Sequence, residues 1–120
     1  MHITHDQFEQ LRALSVEGFA SRLVSFVNTE CDFSQPYDGS VTPHGAERER
    51  LVRALIARAA SYGIVTELGQ AQFVILGLGY SRNFDEVPRV RNMLARDDRS
   101  PDDNMQQVMN AVIEAEARRH

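Results

Sequence analysis

Phe73-Val74-Ile75-Leu76-Gly77-Leu78-Gly79-Tyr80 is the most apolar stretch of the chain, and its reading as strand or helix decides the fold. Four consecutive large apolar residues suit a buried strand as well as a buried helix. A strand needs a partner, and no second run in the chain is rich in β-branched residues. A helix start lies just upstream: Thr66 offers a capping hydroxyl, and Glu67 places an acid in the positive first turn. With Leu68 and Ala71 the segment reads as a helix that is apolar nearly all round, hence the central helix of an all-α fold.

Working outward, Leu51, Val52, Leu55, Ile56, Ala59 and Tyr62 share one arc of a helix running from about Ala46 to Tyr62, with Arg50 and Arg53 opposite. Tyr62-Gly63-Ile64 predicts its ending: Gly63 in the left-handed conformation, Ile64 folding back on the last turn. Downstream, Gly79 or Asn83 ends the central helix. Asp85 is expected to cap a short fourth helix with Pro88 near its start and Val87, Val90, Met93 and Leu94 on its apolar face. Ser100-Pro101-Asp102-Asp103 announces a fifth helix: a cap, a proline at the first position, then acids. Met105, Val108, Met109, Val112 and Ile113 give its stripe, and Arg118 and Arg119 suit its C-terminus.

At the other end, Thr4 and Gln7 form a capping box, with Ile3 and Phe8 as its staple. Helical spacing from Phe8 to Val27 predicts one helix to about Asn28, with Gly18 inside it as a kink or close contact. Residues 29–45 are rich in breakers and read as a long loop. The expectation is a compact five-helix single domain over residues 1–120, a common size for one domain.

Composition narrows the function classes. A 42% hydrophobic and 25% charged chain has the usage of a folded globule, not a disordered one. No apolar run approaches the ~20 residues that span a bilayer, and no basic stretch leads into an apolar one at the N-terminus, so neither membrane insertion nor secretion is expected. The single cysteine, Cys31, fits a reducing, cytoplasmic setting. The net charge of −4 argues against nucleic acid as partner. The thirteen basic residues are all arginine, which excludes lysine Schiff-base and P-loop chemistry.

Candidate sites are sparse. His2, His5 and Glu9 fall short of a closed zinc shell and read as an exposed terminus. Cys31 and His44 share one loop with nothing to orient the imidazole, so Cys31 reads as a half-buried thiol. Gly77-Leu78-Gly79 lacks the third glycine of a dinucleotide loop. Asp97, Asp98, Asp102 and Asp103 lack the alternation of a calcium loop and read as a solvated turn with helix-dipole acids. No nucleophile–base pair, carboxylate dyad or metal cluster emerges, so no enzyme and no cofactor is expected. The strongest candidate is a protein-binding surface. Residues 1–46 are net −4, while residues 47–101 are net +2, with nine arginines against seven acids. Arg82, Arg89, Arg91, Arg96 and Arg99 surround the fourth helix, and Phe84, Val87 and Met93 offer an apolar centre for a partner. The competing reading is an ordinary solvated face paired with nearby acids.

Residues 54–101, ALIARAASYGIVTELGQAQFVILGLGYSRNFDEVPRVRNMLARDDRSP, resemble a small bacterial family encoded beside type VI secretion effectors. The resemblance rests on Tyr62-Gly63-Ile64, the threonine cap at Thr66, and Phe84-Asp85-Glu86-Val87-Pro88 followed by a short helix and an acidic turn. It is looser at Leu76–Tyr80, where two glycines intervene, and does not extend to the first 45 residues. It implies an accessory component of a gene set with a spike protein, an effector, an adaptor chaperone and an immunity protein. The role implied is a co-chaperone that binds the adaptor chaperone or the effector. The alternative is an immunity protein whose acidic surface masks a cationic toxin site.

Overall fold

A computed structural model describes residues 18–31 and 43–119. Among them five helices follow one another: α1 (Phe19–Glu30), α2 (Gly45–Ser61), α3 (Glu67–Gly79), α4 (Pro88–Leu94) and α5 (Pro101–Arg119). A 3-10 turn, Phe84–Glu86, precedes α4. No strand occurs among the described residues, so the all-α reading holds.

The stretch that decides the fold is helical and central. Every residue from Ala71 to Gly79 is buried, and α3 packs against α1, α2 and α5. Leu23 and Val27 of α1, Val52 and Leu55 of α2, and Met105 and Met109 of α5 close the core around it. Gly77 explains how α2 comes so near. A Cβ at that position would stand 2.8 Å from both terminal carbons of Leu55, so the glycine removes a clash at the helix–helix contact. Its helix-propensity cost of roughly 1 kcal/mol is set against that close packing.

The turn between α2 and α3 forms as its sequence predicts. Gly63 has φ +85°, its amide donates to the Ala60 carbonyl at 2.9 Å, and the Ile64 amide donates to Ala59 at 3.2 Å. Ile64 is thereby folded back into the core, fully buried. The Thr66 hydroxyl accepts the Gly69 amide at 3.0 Å, which caps α3, and the Ser100 hydroxyl accepts the Asp103 amide at 3.1 Å at the start of α5.

Three expectations need correction or narrowing. Gly18 does not lie inside a helix: its φ of +70° places it ahead of α1, which starts at Phe19. The Thr4 cap and the Ile3–Phe8 staple lie outside the described residues, as does most of the 29–45 loop. At its ends α1 extends to Glu30 and α2 begins at Gly45. Asp85 does not cap the fourth helix. It belongs to the 3-10 turn and is buried, while Val87 precedes α4 without a side-chain cap. Its carboxylate is drawn away from the α4 amides because Phe84 anchors the turn in the core and aims Asp85 at α2.

Among the described residues no helix is long and apolar enough to cross a membrane.

Candidate partner-binding surface

The surface is built on a rigid corner. Phe84 is buried with its ring edge-on to Phe73, centroids 4.8 Å apart. That packing fixes the 3-10 turn, and the next residue, Asp85, faces the last turn of α2. The Arg58 guanidinium donates to the Asp85 carboxylate through Nε at 3.2 Å and also through Nη2, and the Tyr62 hydroxyl donates to it at 2.6 Å. Arg58 and Tyr62 are four residues apart, so one helix face presents both donors. The same guanidinium lies 5.8 Å over the Phe73 ring. Burial pushes the Asp85 carboxyl up, but the hydrogen bonds from Arg58 and Tyr62 outweigh it and hold the group below its ordinary value. Tyr62 is pushed up by burial and by its bond to Asp85, against the opposing charges of Arg58 and Arg91.

A second aspartate holds the turn that follows Tyr62. Asp102, in the first turn of α5, accepts the Val65 amide at 3.2 Å and the Thr66 amide at 2.9 Å. It also accepts the Thr66 hydroxyl, which in turn holds the Gly69 amide. Burial opposes the charge on Asp102, yet the donors from Thr66 and Val65 prevail and hold its carboxyl low.

From this corner α4 projects as a short helix with two unlike sides. Leu94 is buried and Val90 and Met93 are half-buried on the inner side. Pro88, Arg89, Arg91 and Asn92 are exposed on the outer side, and Val87 is 42% exposed just before it. At roughly 100° per residue, Arg89 and Arg91 stand on opposite edges of that outer face. Neither side chain forms a hydrogen bond or an ion pair with the described residues.

The residues expected at the surface therefore separate. Val87, Arg89 and Arg91 are exposed on it, the two arginines at its opposite edges. Phe84 is a correction: at 1% exposure it is part of the core and offers nothing to a partner. Its apolar side chain in a turn without helical period carried no signal to tell core from interface. Arg82 is half-buried and donates to the Gly77 carbonyl at 2.8 Å, at the end of α3. Arg96 is exposed but paired with Asp98 through Nε at 3.0 Å. Nearby, Arg99 donates to Asn104, a buried side chain that itself donates to the Leu94 and Arg96 carbonyls and so fixes the end of α4 on α5. Sequence reasoning missed Arg58 and Tyr62 as a pair; their four-residue spacing was the available signal.

The remaining candidates lead elsewhere. Cys31 is half-buried and His44 exposed. Gly77-Leu78-Gly79 lies within buried helix α3, not in a phosphate-binding loop. His2, His5 and Glu9 are outside the described residues. Among the described residues no group of three or more His, Cys, Asp or Glu side chains is placed to hold a metal.

Comparison with protein-family models, with curated proteins and with solved structures finds no match.

Proposed function

We propose that this chain is a non-enzymatic protein-binding accessory factor that meets its partner with the outer face of α4. One observation carries the reading: Arg89 and Arg91 are exposed, with no side-chain hydrogen bond or ion pair among the described residues, on a helix whose inner side is fixed in the core by Leu94. Arginine on an already ordered backbone is a common anchor of protein interfaces, because binding then orders only the side chain and not the helix that carries it. The resemblance of residues 54–101 supports a more specific role, a cytoplasmic co-chaperone in type VI effector loading, with the adaptor chaperone or the effector as partner.

The test is affinity capture of the tagged chain from its bacterial host, followed by mass spectrometry, beside an Arg89→Glu/Arg91→Glu variant. Recovery of an adaptor chaperone, spike protein or effector by the wild type, and its loss in the variant, is the expected result. Unchanged capture by the variant would reject α4 as the docking face. The net charge of −4 favours a second reading, an immunity protein that neutralises a cationic toxin. Co-expression with the neighbouring toxin separates the two, since an immunity protein restores growth by itself and a loading factor does not.

A further inference from the structure

We infer that residues 84–94 form a strap, latched to α2 through Asp85 and hinged on α5 through Asn104, that opens at the Asp85 end while the rest of the helical bundle stays folded. The strap goes beyond the proposed role of α4, because the latch decides whether Arg89 and Arg91 stand in a fixed frame. It is tested without a partner.

The segment cannot hold its shape alone. α4 has seven residues, fewer than an isolated helix needs in water, and the 3-10 turn before it has three. Leu94 is the buried residue of α4, while Pro88, Arg89, Arg91 and Asn92 are exposed. The strap therefore depends on what grips its two ends. Among the described residues the buried polar or charged side chains are Gln72, Asp85, Asn104 and Glu116, and two of these four supply the grips.

The two ends are held differently. At the C-terminal end the Asn104 side-chain amide donates to the Leu94 carbonyl at 3.2 Å and to the Arg96 carbonyl at 2.8 Å, and its oxygen accepts Arg99 at 3.2 Å. These partners lie five to ten residues from Asn104 in the chain, so little loop-closure entropy opposes them. α4 also packs on α5 directly. At the N-terminal end Asp85 reaches Tyr62 and Arg58 across 23 and 27 residues, and Phe84 meets Phe73. When that end opens, the carboxylate and the guanidinium both regain water, which offsets much of the attraction they lose. A grip of this chemistry releases reversibly, so the break falls at Asp85. Residues 80–83 lie outside the helices and supply the slack, while Arg82 stays with the end of α3 through the Gly77 carbonyl. Opening uncovers Phe84 and the edge of Phe73, and it takes Arg89 and Arg91 out of their frame. A partner seated on α4 holds the strap shut.

The experiment is native-state amide hydrogen exchange of the full 15N-labelled chain, read by NMR across low concentrations of guanidinium chloride. The reporters are the Val87 amide, which donates to the Phe84 carbonyl at 3.2 Å, and the Arg91 amide, which donates to the Val87 carbonyl at 2.8 Å. Both are expected to exchange at least about ten-fold faster than Ile75 and Leu76 of α3, with a weaker denaturant dependence, because opening exposes less surface than unfolding. Tyr62→Phe keeps the ring and removes a bond made only in the closed form. It should raise the two strap rates about three- to ten-fold, the scale of one net hydrogen bond. Asn104→Ala removes bonds made in the closed and the open form alike. It should leave the strap rates within about two-fold of wild type while raising those of Ile75 and Leu76. Where Asn104→Ala does not fold, Arg99→Ala, which removes the guanidinium bonded to Asn104, makes the same comparison at the hinge. Exchange of Val87 and Arg91 with α3 on one denaturant dependence would overturn the strap. Equal acceleration of the strap by Tyr62→Phe and by the hinge variant would overturn the assignment of latch and hinge. The strap and the docking face fail separately. Loss of the cellular partner in Arg89→Glu/Arg91→Glu, with strap and α3 exchanging as one unit, keeps the face and removes the strap. A separate strap with unchanged cellular capture does the reverse.

Discussion

Asp85 and Asp102 reach the α2–α3 corner from different elements, one from the 3-10 turn and the other from the start of α5, and they hold it with different chemistry. Asp85 meets a guanidinium and a phenol in a buried setting. Asp102 meets two backbone amides and a hydroxyl in a half-exposed one. The first grip compensates a charge that could not otherwise stay buried. The second supplies acceptors for amides at a helix start. Removing one partner of a buried pair leaves an uncompensated group, whereas removing a cap returns its donors to water, so the first loss is the larger.

That ordering can be broken by experiment. Asp85→Ala is expected to cost about 2–3 kcal/mol in chemical denaturation, below the full range for a buried pair because Arg58 keeps a third of its side chain in water. Asp102→Ala should cost about 1–1.5 kcal/mol in the same measurement, the scale of a lost cap. Equal losses would mean that charge compensation adds nothing to the Asp85 grip. Acid sharpens the comparison further. Both carboxyls titrate below the ordinary aspartate value in the folded chain, so both contributions are fully present above that ordinary value of about 3.9. They are lost as pH falls through the folded values, and stability should decline below about pH 5. Asp85→Asn should flatten part of that slope, read as denaturation midpoints between pH 6 and pH 3. Asp98→Asn gives the smallest effect. Asp98 pairs with Arg96 in an exposed turn, where water competes for both partners, and no resolvable change in Tm is expected.

The same two residues show what the sequence made legible. Local rules located the caps at Thr66 and Ser100, the left-handed Gly63 and the apolar α3, because each depends on neighbours within a few residues. Asp85 and Asp102 were read by those rules too, as a cap and as a helix-dipole acid. Their partners lie 27 residues away at Arg58 and 36 at Thr66, a relation that local spacing does not encode. Phe84 misled for a related reason: a 3-10 turn has no apolar period from which to tell inside from outside. Of the expected surface, Arg89 and Arg91 are exposed, because the helical period of α4 does separate its two sides, and Val87 is exposed just before it.

The long reach of the two aspartates also has a consequence for synthesis. Translation delivers α2 and α3 first, and the turn between them can form at once from its own glycine and threonine. The grip from Asp85 becomes available later, and the one from Asp102 later still. Until both have left the ribosome, Ile64 and the α3 surface destined for α5 stand open to solvent and to other nascent chains. A pause in elongation after α3 has cleared the ribosome and before Asp102 has done so would therefore lengthen the period of greatest aggregation risk.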